Sequence, residues 1–464
     1  MTTQSAPKKV VLVLFHNDLR LHDNATLHQA AALTALANNN ATDSHLTDSQ
    51  AADDNAGKLI LAYAPTLAAD LPPKNWGQAY HFDKKGRARQ QFITESLADL
   101  DSSLQRLGNR LLYLTTAQLL HIIEAQSVSD ICVSQTADYA QNLAYRALQD
   151  KYPQINWHYQ ATATLFATMP TQDLPTSFTQ FRKKVEYSRH LLSADDDLDM
   201  HQTPVTLAPL PISLASDAAY FFKGLPFNEQ PNEPNEPTPQ EPYLKGGETQ
   251  ALAHIERYFD SDAPSSYKVT RNAMDEWSHS TKFSPWLANG SLSVKRVLNR
   301  LRHYEREVIA NDSTYWIWFE LLWREYFCWY AMTHQQNLFL FQGISDKKPL
   351  TRHQQQRLEQ WQQGKTAYPI INACMQQLNH TGYMSNRGRQ LVASAFIHEL
   401  GLDWRYGATY FEQQLLDYDV ASNWGNWQYL AGVGADPRGC RQFNLKKQTQ
   451  QHDPDGRFQD KWLS

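Results

Sequence analysis

The spacing of apolar residues changes along the chain, and the change predicts two kinds of structure. In the first third, helical patterns alternate with short apolar runs at residues 10–15, 59–64, 110–114 and 130–134. This alternation predicts a parallel sheet with helices on both faces, and so an α/β domain over residues 1–165. No G-x-G-x-x-G follows the first run, which argues against dinucleotide binding in the Rossmann manner.

From residue 246 onward, apolar residues recur every three to four positions. The predicted amphipathic helices cover residues 292–308, 316–332, 384–400 and 409–416. An all-helical second domain over residues 246–464 follows from this pattern. The connector between the domains, residues 166–245, contains the run PNEPNEPTPQEP, which cannot pack as a helix. A polar run at residues 38–57 predicts a flexible insertion in the first domain.

Composition and charge exclude several classes of protein. The 464 residues carry a net charge of -5, so a nucleic-acid-binding groove would have to be local. The cysteines form no C-x-x-C pair, which argues against a zinc site or a disulfide scaffold and fits a reducing compartment. No apolar run approaches the roughly 20 residues of a membrane helix. We therefore expect a soluble, cytoplasmic protein without a metal site. No dimer interface is recognisable, which predicts a monomer.

Residues 383–427 concentrate polar and charged side chains among aromatic ones. The side chains concerned are Asn386, Arg389, Gln390, Asp417, Asp419 and Asn423. The first three share one face of a predicted helix, and the last three follow in a predicted loop. Carboxylates, an arginine and amides are costly to bury unless they pair or hold a ligand. This segment is therefore the candidate site.

Three motifs in the segment, NRGRQ, DWRYG and DYDVASNWGNW, resemble the flavin-binding core of the photolyase and cryptochrome family. At two positions, Gln390 and Tyr429, the sequence resembles the DASH-type cryptochromes in particular. Further motifs extend the resemblance over nearly the whole chain: GGETQAL, YKVTRN, STKFSPWLANG and FELLWREYF upstream, and RQFNLKKQ downstream. The resemblance implies a Rossmann-like antenna domain, a long connector and a helical domain that binds FAD.

The resemblance also implies a set of FAD-binding residues. They are Tyr267, Ser280, Thr281, Lys282, Phe283, Ser284, Glu320, Arg324, Asn386, Arg389, Asp417, Asp419 and Asn423. In STKFSPWL, hydroxyls and an ammonium surround a proline that suits the first turn of a helix, whose N-terminal amides attract an anion. An ordinary capped helix is the alternative interpretation of this loop.

Two members of this set match positions beside the isoalloxazine ring. There the guanidinium of Arg389, paired with Asp417, would favour a negatively charged reduced flavin. Asp419 matches a position near the pyrimidine side of the ring, and Asn423 matches the position that faces the flavin N5. The alternative is a structural ion pair and a turn cap.

The resemblance implies a catalytic carboxyl and an aromatic wall. Glu320 would donate a hydrogen bond or a proton to a damaged pyrimidine, and Trp323 would stack on a flipped base. Alternatively, Glu320 and Arg324 form an i,i+4 surface pair. Gln390 and Tyr429 stand where photolyases of duplex DNA usually have Met and Trp, which implies a preference for single-stranded DNA. Their alternative role is to tune packing.

Trp427 and Trp404 match the first two members of the family's electron-transfer tryptophan chain. Thr351 occupies the position of the third member. The sequence therefore does not identify the residue that ends the electron-transfer series. The alternative is that both tryptophans serve mainly the core.

Several basic residues could contact a phosphate backbone. They are Arg387, Arg438, Arg441 and Lys446, together with Lys268, Arg271 and Lys447. The resemblance also implies an antenna chromophore, methenyltetrahydrofolate, held partly by Asp138 in the α/β domain.

Three functions compete for this sequence. The first is a deoxyribodipyrimidine photo-lyase, in which blue light drives an electron from reduced FAD into a pyrimidine dimer of single-stranded DNA, with weaker action on duplex DNA. The second is a signalling photoreceptor without repair, and the third is a flavoprotein that transfers electrons in the dark. A pocket around Glu320 and Trp323 favours the first, because the third leaves it unexplained.

Overall fold

The computed structural model describes residues 9–42, 57–71, 85–187, 197–224, 244–345, 348–435 and 441–464. The proline-rich run, Arg438 and residues 43–56 of the predicted insertion lie outside the described residues. Residues 38–42, which the polar pattern assigns to the insertion, instead continue the first helix.

Five parallel strands form the sheet of the first domain, which confirms the predicted α/β class. They are β1 (Val10–Phe15), β2 (Lys58–Tyr63), β3 (Leu111–Tyr113), β4 (Asp130–Ser134) and β5 (Asn156–Gln160). Their order is β3-β2-β1-β4-β5, so the winding reverses between β1 and β4. In open sheets of this kind, ligand crevices form at such a reversal, beyond the carboxyl ends of the strands.

Helices cover both faces of this sheet. They are α1 (Ala25–Thr42), α2 (Leu67–Asp70), α3 (Arg87–Arg106), α4 (Thr116–Ala125) and α5 (Tyr139–Lys151). Strand β1 shows why two layers are needed. Its residues Val11, Val13 and Phe15 belong to one apolar cluster, and Val10, Leu12 and Leu14 belong to another on the opposite face.

The connector packs against both domains. It contains α6 (Phe178–Tyr187) and α7 (Ile212–Ala215). Phe181 of α6 is fully buried in the core of the helical domain. Phe221, further along, forms an antiparallel bridge with Leu112 of β3. The described part of the connector is therefore ordered by contacts with each domain.

The second domain is helical, as predicted. Its α-helices among the described residues are α8 (Glu248–Phe259), α9 (Ala263–Thr270), α10 (Ser284–Asn289), α11 (Val294–Glu307), α12 (Asp312–His334), α13 (Gln355–Gln362), α14 (Pro369–Thr381), α15 (Asn386–Ser394), α16 (Trp404–Gln414), α17 (Val420–Ala431), α18 (Leu445–His452) and α19 (Arg457–Leu463). Short 3₁₀ turns lie at Trp277–His279 and Gln335–Phe339, and a π turn follows α15 at Ala395–Glu399.

One local prediction for this domain is wrong. The residues after Asp419 were expected to form a loop, but they form α17, so Asn423 lies in a helix. The side chain of Asp419 caps this helix by accepting a hydrogen bond from the Ser422 amide at 2.7 Å. An aspartate in this position stabilises a helix start because it satisfies an otherwise unpaired N–H.

The two domains meet at the loop that follows β1. The guanidinium of Arg20, which is 1% exposed, donates to the carbonyls of Gly290 and Thr162, at 2.9 and 2.8 Å. Gly290 has a φ of +75°, and a Cβ atom there would lie 2.0 Å from the Asn17 carbonyl oxygen. Only glycine combines a favourable positive φ with the absence of a Cβ atom that would clash here. This contact fixes the end of α10 against the first domain.

Candidate functional site

A cavity of about 400 Å³ opens into the helical domain. Its walls come from α9, α10, α12, α15, α17 and the segments at residues 273–284, 383–385, 417–419 and 441–443. Most residues of the predicted set line it: Tyr267, Ser280, Thr281, Lys282, Phe283, Ser284, Glu320, Trp323, Arg324, Asn386, Arg389, Gln390, Asp417, Asp419, Tyr429 and Arg441. The fold therefore brings together residues that are up to 174 positions apart.

Lys282 lines the cavity and has a buried side chain. Its ammonium contacts the Ser280 hydroxyl at 2.7 Å and the Glu276 carbonyl at 3.4 Å, and it lies 5.0 Å from the Tyr383 ring centroid. No carboxylate of the described residues forms an ion pair with it. Its backbone φ is +54°, an uncommon conformation for a side-chain-bearing residue that often marks a ligand site. A buried cation without a counter-ion fits a phosphate group.

Arg389 and Asp417, which also line the cavity, form an ion pair. Arg389 Nη2 lies 2.9 Å from Asp417 Oδ2, and Arg389 Nε donates to the Met384 carbonyl at 2.8 Å. The second carboxylate oxygen, Asp417 Oδ1, is buried and has no hydrogen-bond partner among the described residues. Because buried acceptors are normally satisfied, this oxygen fits a ligand that presents an N–H or O–H group.

Asn423 and Arg324 differ from the other predicted residues because their side chains donate hydrogen bonds to backbone carbonyls. Asn423 does not line the cavity, and its side-chain amide donates to the Ala408 carbonyl at 2.9 Å. Arg324 lines the cavity, and its guanidinium donates to the carbonyls of Ala163 and Leu287. Arg324 therefore joins α10 and α12 to the first domain as well as facing the site.

Glu320 faces the cavity from α12 and forms an ion pair with Arg271 of the segment after α9. Burial raises the pKa of the Glu320 carboxyl, and the charge of Arg271 opposes this rise. The i,i+4 pair of Glu320 with Arg324 is absent from the ion pairs of the described residues. From the sequence, Arg271 was predicted only as a DNA-contacting cation. In the structure it is the ion-pair partner of Glu320, the candidate catalytic carboxyl.

Aromatic rings form one wall of the cavity. The Trp323 ring stacks on Phe178 of α6, with centroids 3.7 Å apart and an angle of 13° between the planes. Tyr429 meets the Trp323 ring edge to face at 6.1 Å, and the Arg441 guanidinium lies 4.6 Å from the Tyr429 centroid. A wall held rigid in this way can receive a flat ring at low entropic cost.

Trp404 and Trp427 lie in the core rather than on the cavity wall. Trp404 is fully buried, and its indole N–H donates to the Phe341 carbonyl at 2.9 Å. Trp427 packs against Gly407, where a Cβ would lie only 2.2 Å from Trp427 Cη2. Gly407 lies three residues after Trp404 on the same face of α16, and both positions contact α17, Trp404 through Trp424 and Gly407 through Trp427. Thr351, the position of the expected third tryptophan, has a buried hydroxyl without a partner among the described residues.

The predicted DNA-contacting cations divide into two groups. Arg387 donates to Asn272 Oδ1 at 3.0 Å, and Lys268 forms an ion pair with Asp312 at 2.8 Å. Lys446 and Lys447 are exposed on α18, and a phosphate-contacting face there stays a prediction.

The sequence patterns missed Asp275 and the contacts that hold it beside the cavity. Asp275 lines the cavity and forms an ion pair with Lys461 of the last helix. It also accepts a hydrogen bond from the Gln377 side chain at 2.7 Å. These contacts span 186 and 102 positions, and no local pattern marks them.

Family models match both domains of the chain. Residues 11–202 match the family described as DNA photolyase. Residues 316–464 match the family described as FAD binding domain of DNA photolyase. The buried Lys282, the Arg389–Asp417 pair and the unpartnered Asp417 oxygen are the features that fit this cofactor.

Curated relatives match over almost the full length. The chain is 44% identical to cryptochrome DASH of Idiomarina loihiensis and 45% identical to that of Vibrio parahaemolyticus, with 98% of this chain and 93% of each relative covered. A solved Synechocystis cryptochrome superposes with a TM-score of 0.79 at 35% identity, covering 99% of this chain and 89% of that one.

A class III photolyase from Agrobacterium tumefaciens shares the fold, with a TM-score of 0.70 at 24% identity, covering 100% of this chain and 88% of that one.

Among the described residues, no helix combines the length and the apolar character needed to cross a bilayer. The sequence motifs, the cavity and these similarities agree: the chain belongs to the DASH cryptochromes of the photolyase and cryptochrome family, and its helical domain is an FAD-binding domain.

Proposed function

We propose that this protein splits cyclobutane pyrimidine dimers in single-stranded DNA under blue light. One observation carries the proposal: a single cavity is lined both by Lys282 and the Arg389–Asp417 pair and by Glu320, Trp323 and Tyr429. Bound FAD would supply light absorption and the transferred electron.

The protein residues would bind, orient and stabilise. Lys282 would neutralise a phosphate of the cofactor, and Arg389 would stabilise a negative charge on its ring system. Asp417 keeps Arg389 from becoming an unpaired buried charge, and its free oxygen would accept a hydrogen bond from the cofactor. These contacts support the cofactor assignment residue by residue.

Glu320 and Trp323 would receive the damaged bases. A flipped dimer would lie against the Trp323 ring, which the Phe178 ring supports from behind. Glu320 would donate a hydrogen bond or proton to a pyrimidine carbonyl, because its raised pKa favours the acid form. Arg271 would keep the carboxyl oriented.

Selectivity for single strands would follow from the polar side of the pocket. Gln390 and Tyr429 both line the cavity, and Arg441 covers the Tyr429 ring. A pocket with these polar groups has less apolar surface to offset the cost of unpairing a duplex. Single-stranded DNA does not incur that cost.

The antenna is a separate part of the proposal. Asp138 caps α5 by accepting a hydrogen bond from the Gln141 amide at 3.2 Å, and it lies 3.6 Å from His16 Nε2. Both side chains stand at the carboxyl edge of the sheet, beside the reversal between β1 and β4. This is the position where a doubly wound sheet offers a crevice to a ligand such as a folate.

The test is a repair assay with chemically reduced holoprotein. A single-stranded oligonucleotide that carries a thymine dimer is illuminated with blue light, and recovery of thymine absorbance is followed beside a dark control and a duplex substrate. Recovery only in light and faster on the single strand is expected. Equal rates on both substrates would overturn the selectivity, and no recovery with FAD bound and reduced would favour a photoreceptor instead.

A further inference from the structure

Two contacts connect Trp404 to Tyr418 through Trp424. The Trp404 ring meets the Trp424 ring at 5.7 Å between centroids, with a 77° angle. Both rings are almost fully buried. The Trp424 indole N–H donates to the Tyr418 phenol oxygen at 3.3 Å. Oxidisable side chains are therefore in contact from Trp404 to Tyr418.

The surroundings of Tyr418 suit the loss of an electron together with a proton. Its phenol hydrogen-bonds to the Glu412 carboxylate, and because Trp424 already donates to the phenol oxygen, the phenol hydrogen is left for Glu412. Burial raises the pKa of the Glu412 carboxyl, which makes its anion a better proton acceptor. Arg89 lies over the Tyr418 ring at 4.6 Å and, with Lys85, favours the ionised carboxylate, whereas Asp138 opposes it.

We infer that Tyr418 is the terminal electron donor of the flavin-reducing chain, with Glu412 as its proton acceptor. The inference rests on the proposed light chemistry, in which bound FAD would supply the one-electron acceptor. Trp427, Trp404 and Trp424 would each pass one electron towards that acceptor in turn, which leaves the vacancy on Trp424. One electron then leaves the Tyr418 phenol and fills the vacancy on Trp424. The phenol O–H bond breaks, and its proton passes to Glu412. The products are a neutral tyrosyl radical, a neutral tryptophan and a carboxylic acid.

Two other tyrosines of the helical domain differ from Tyr418 in the contacts that the structure shows. Tyr406 follows Trp404 by two positions on α16, so the two side chains point to different faces of the helix, and Tyr406 stacks on His353 at 4.3 Å. Tyr410 meets the Trp361 ring at 5.5 Å, but its phenol donates to the Asn379 amide oxygen at 2.7 Å. An amide oxygen is too weak a base to accept that proton.

The test is flash photolysis of the holoprotein with oxidised FAD, read by transient absorption and electron paramagnetic resonance. In the unmodified protein, a tyrosyl radical is expected as the last oxidised species. Tyr418→Phe should leave the oxidation on tryptophan and shorten the charge-separated state. Glu412→Gln keeps a hydrogen-bond acceptor without a base, and should slow tyrosyl formation about a hundredfold.

Tyr406→Phe and Tyr410→Phe are the matched controls, and the tyrosyl signal should survive in both. A tyrosyl signal that persists in Tyr418→Phe, or a final tryptophan radical in the unmodified protein, would overturn the inference. FAD content and unfolding midpoints verify that each variant is folded. Repair by chemically reduced protein bypasses this path, so a failure of repair and a failure of the Tyr418 assignment are separate results.

Discussion

At the scale of single residues, the Arg389–Asp417 pair should stabilise the holoprotein. Asp417→Asn removes the counter-charge of an arginine that is only 25% exposed, and should lower the free energy of unfolding by roughly 2–3 kcal/mol. Urea unfolding of the variant, with its FAD content, measures the effect. Asp455→Asn, which breaks an exposed pair with Arg457, should leave both quantities unchanged. Equal effects in the two variants would contradict the assignment.

Lys282 should contribute to cofactor affinity rather than to folding. Because no carboxylate of the described residues pairs with it, Lys282→Gln should weaken FAD binding by about ten- to a hundredfold and leave the apoprotein as stable as before. Titration of apoprotein with FAD measures the affinity, and Lys447→Gln is the control on an exposed lysine. Unchanged FAD affinity, or an apoprotein that unfolds more easily, would contradict this role.

Glu320 should impose a pH dependence on repair. Burial raises its pKa above the usual 4.5, and the acid form is lost as the pH rises through the raised value. Repair per absorbed photon should therefore fall as the pH increases. Glu320→Gln cannot titrate, and its profile should be flat and lower. An unmodified protein with a flat profile across this range would show that the acid form is not used.

At the scale of elements, the contact of α16 with α17 depends on a residue without a side chain. A Cβ at position 407 would meet the Trp427 indole at 2.2 Å, so Gly407→Ala should destabilise the protein by about 1–3 kcal/mol. The smaller ring of Trp427→Phe should relieve much of this cost in the double variant. Thermal unfolding of the four proteins measures the coupling, and additive effects would contradict the contact.

The same elements show what local sequence patterns can predict. Strand β1 is recognisable because all six of its residues are buried and apolar. Strand β5 was missed because its residues are partly exposed and mostly polar, although it pairs with β4 along its whole length. Helix α17 was missed because its first turn follows the charged DYD sequence, in which Asp419 is a helix cap rather than a loop residue.

At the scale of the whole molecule, the two domains should stabilise each other through Arg20. Its guanidinium donates to four carbonyls, those of His22, Asp23, Thr162 and Gly290. Arg20→Leu leaves these buried acceptors unpaired, so it should lower the free energy of unfolding by more than about 3 kcal/mol. It should also lower FAD occupancy, because α10, which Arg20 contacts at Gly290, contributes Ser284 and Leu287 to the cavity wall. Arg457→Leu, at an exposed arginine, is the control. Full FAD occupancy in Arg20→Leu would contradict this coupling.

Motifs pointed to most of the residues that line the cavity, but their arrangement comes from contacts between distant segments. The Trp323 ring owes its support to Phe178, 145 positions earlier, and Asp275 is held by Lys461 from the last helix. Such contacts depend on how helices pack, which no single-segment pattern encodes. The pairing of Arg271 with Glu320 was missed for the same reason.

The most direct test of the central claim is single-strand repair per absorbed photon in the unmodified protein and in Trp323→Ala. The cavity is predicted to hold FAD and a flipped dimer together, so light-dependent repair is expected, and loss of the ring should weaken substrate binding roughly ten- to a hundredfold. Tyr187→Ala, at a tyrosine that is 90% exposed, should repair normally. FAD-loaded, reduced protein that repairs nothing in the light, or a Trp323→Ala variant that repairs as well as the unmodified protein, would contradict the account.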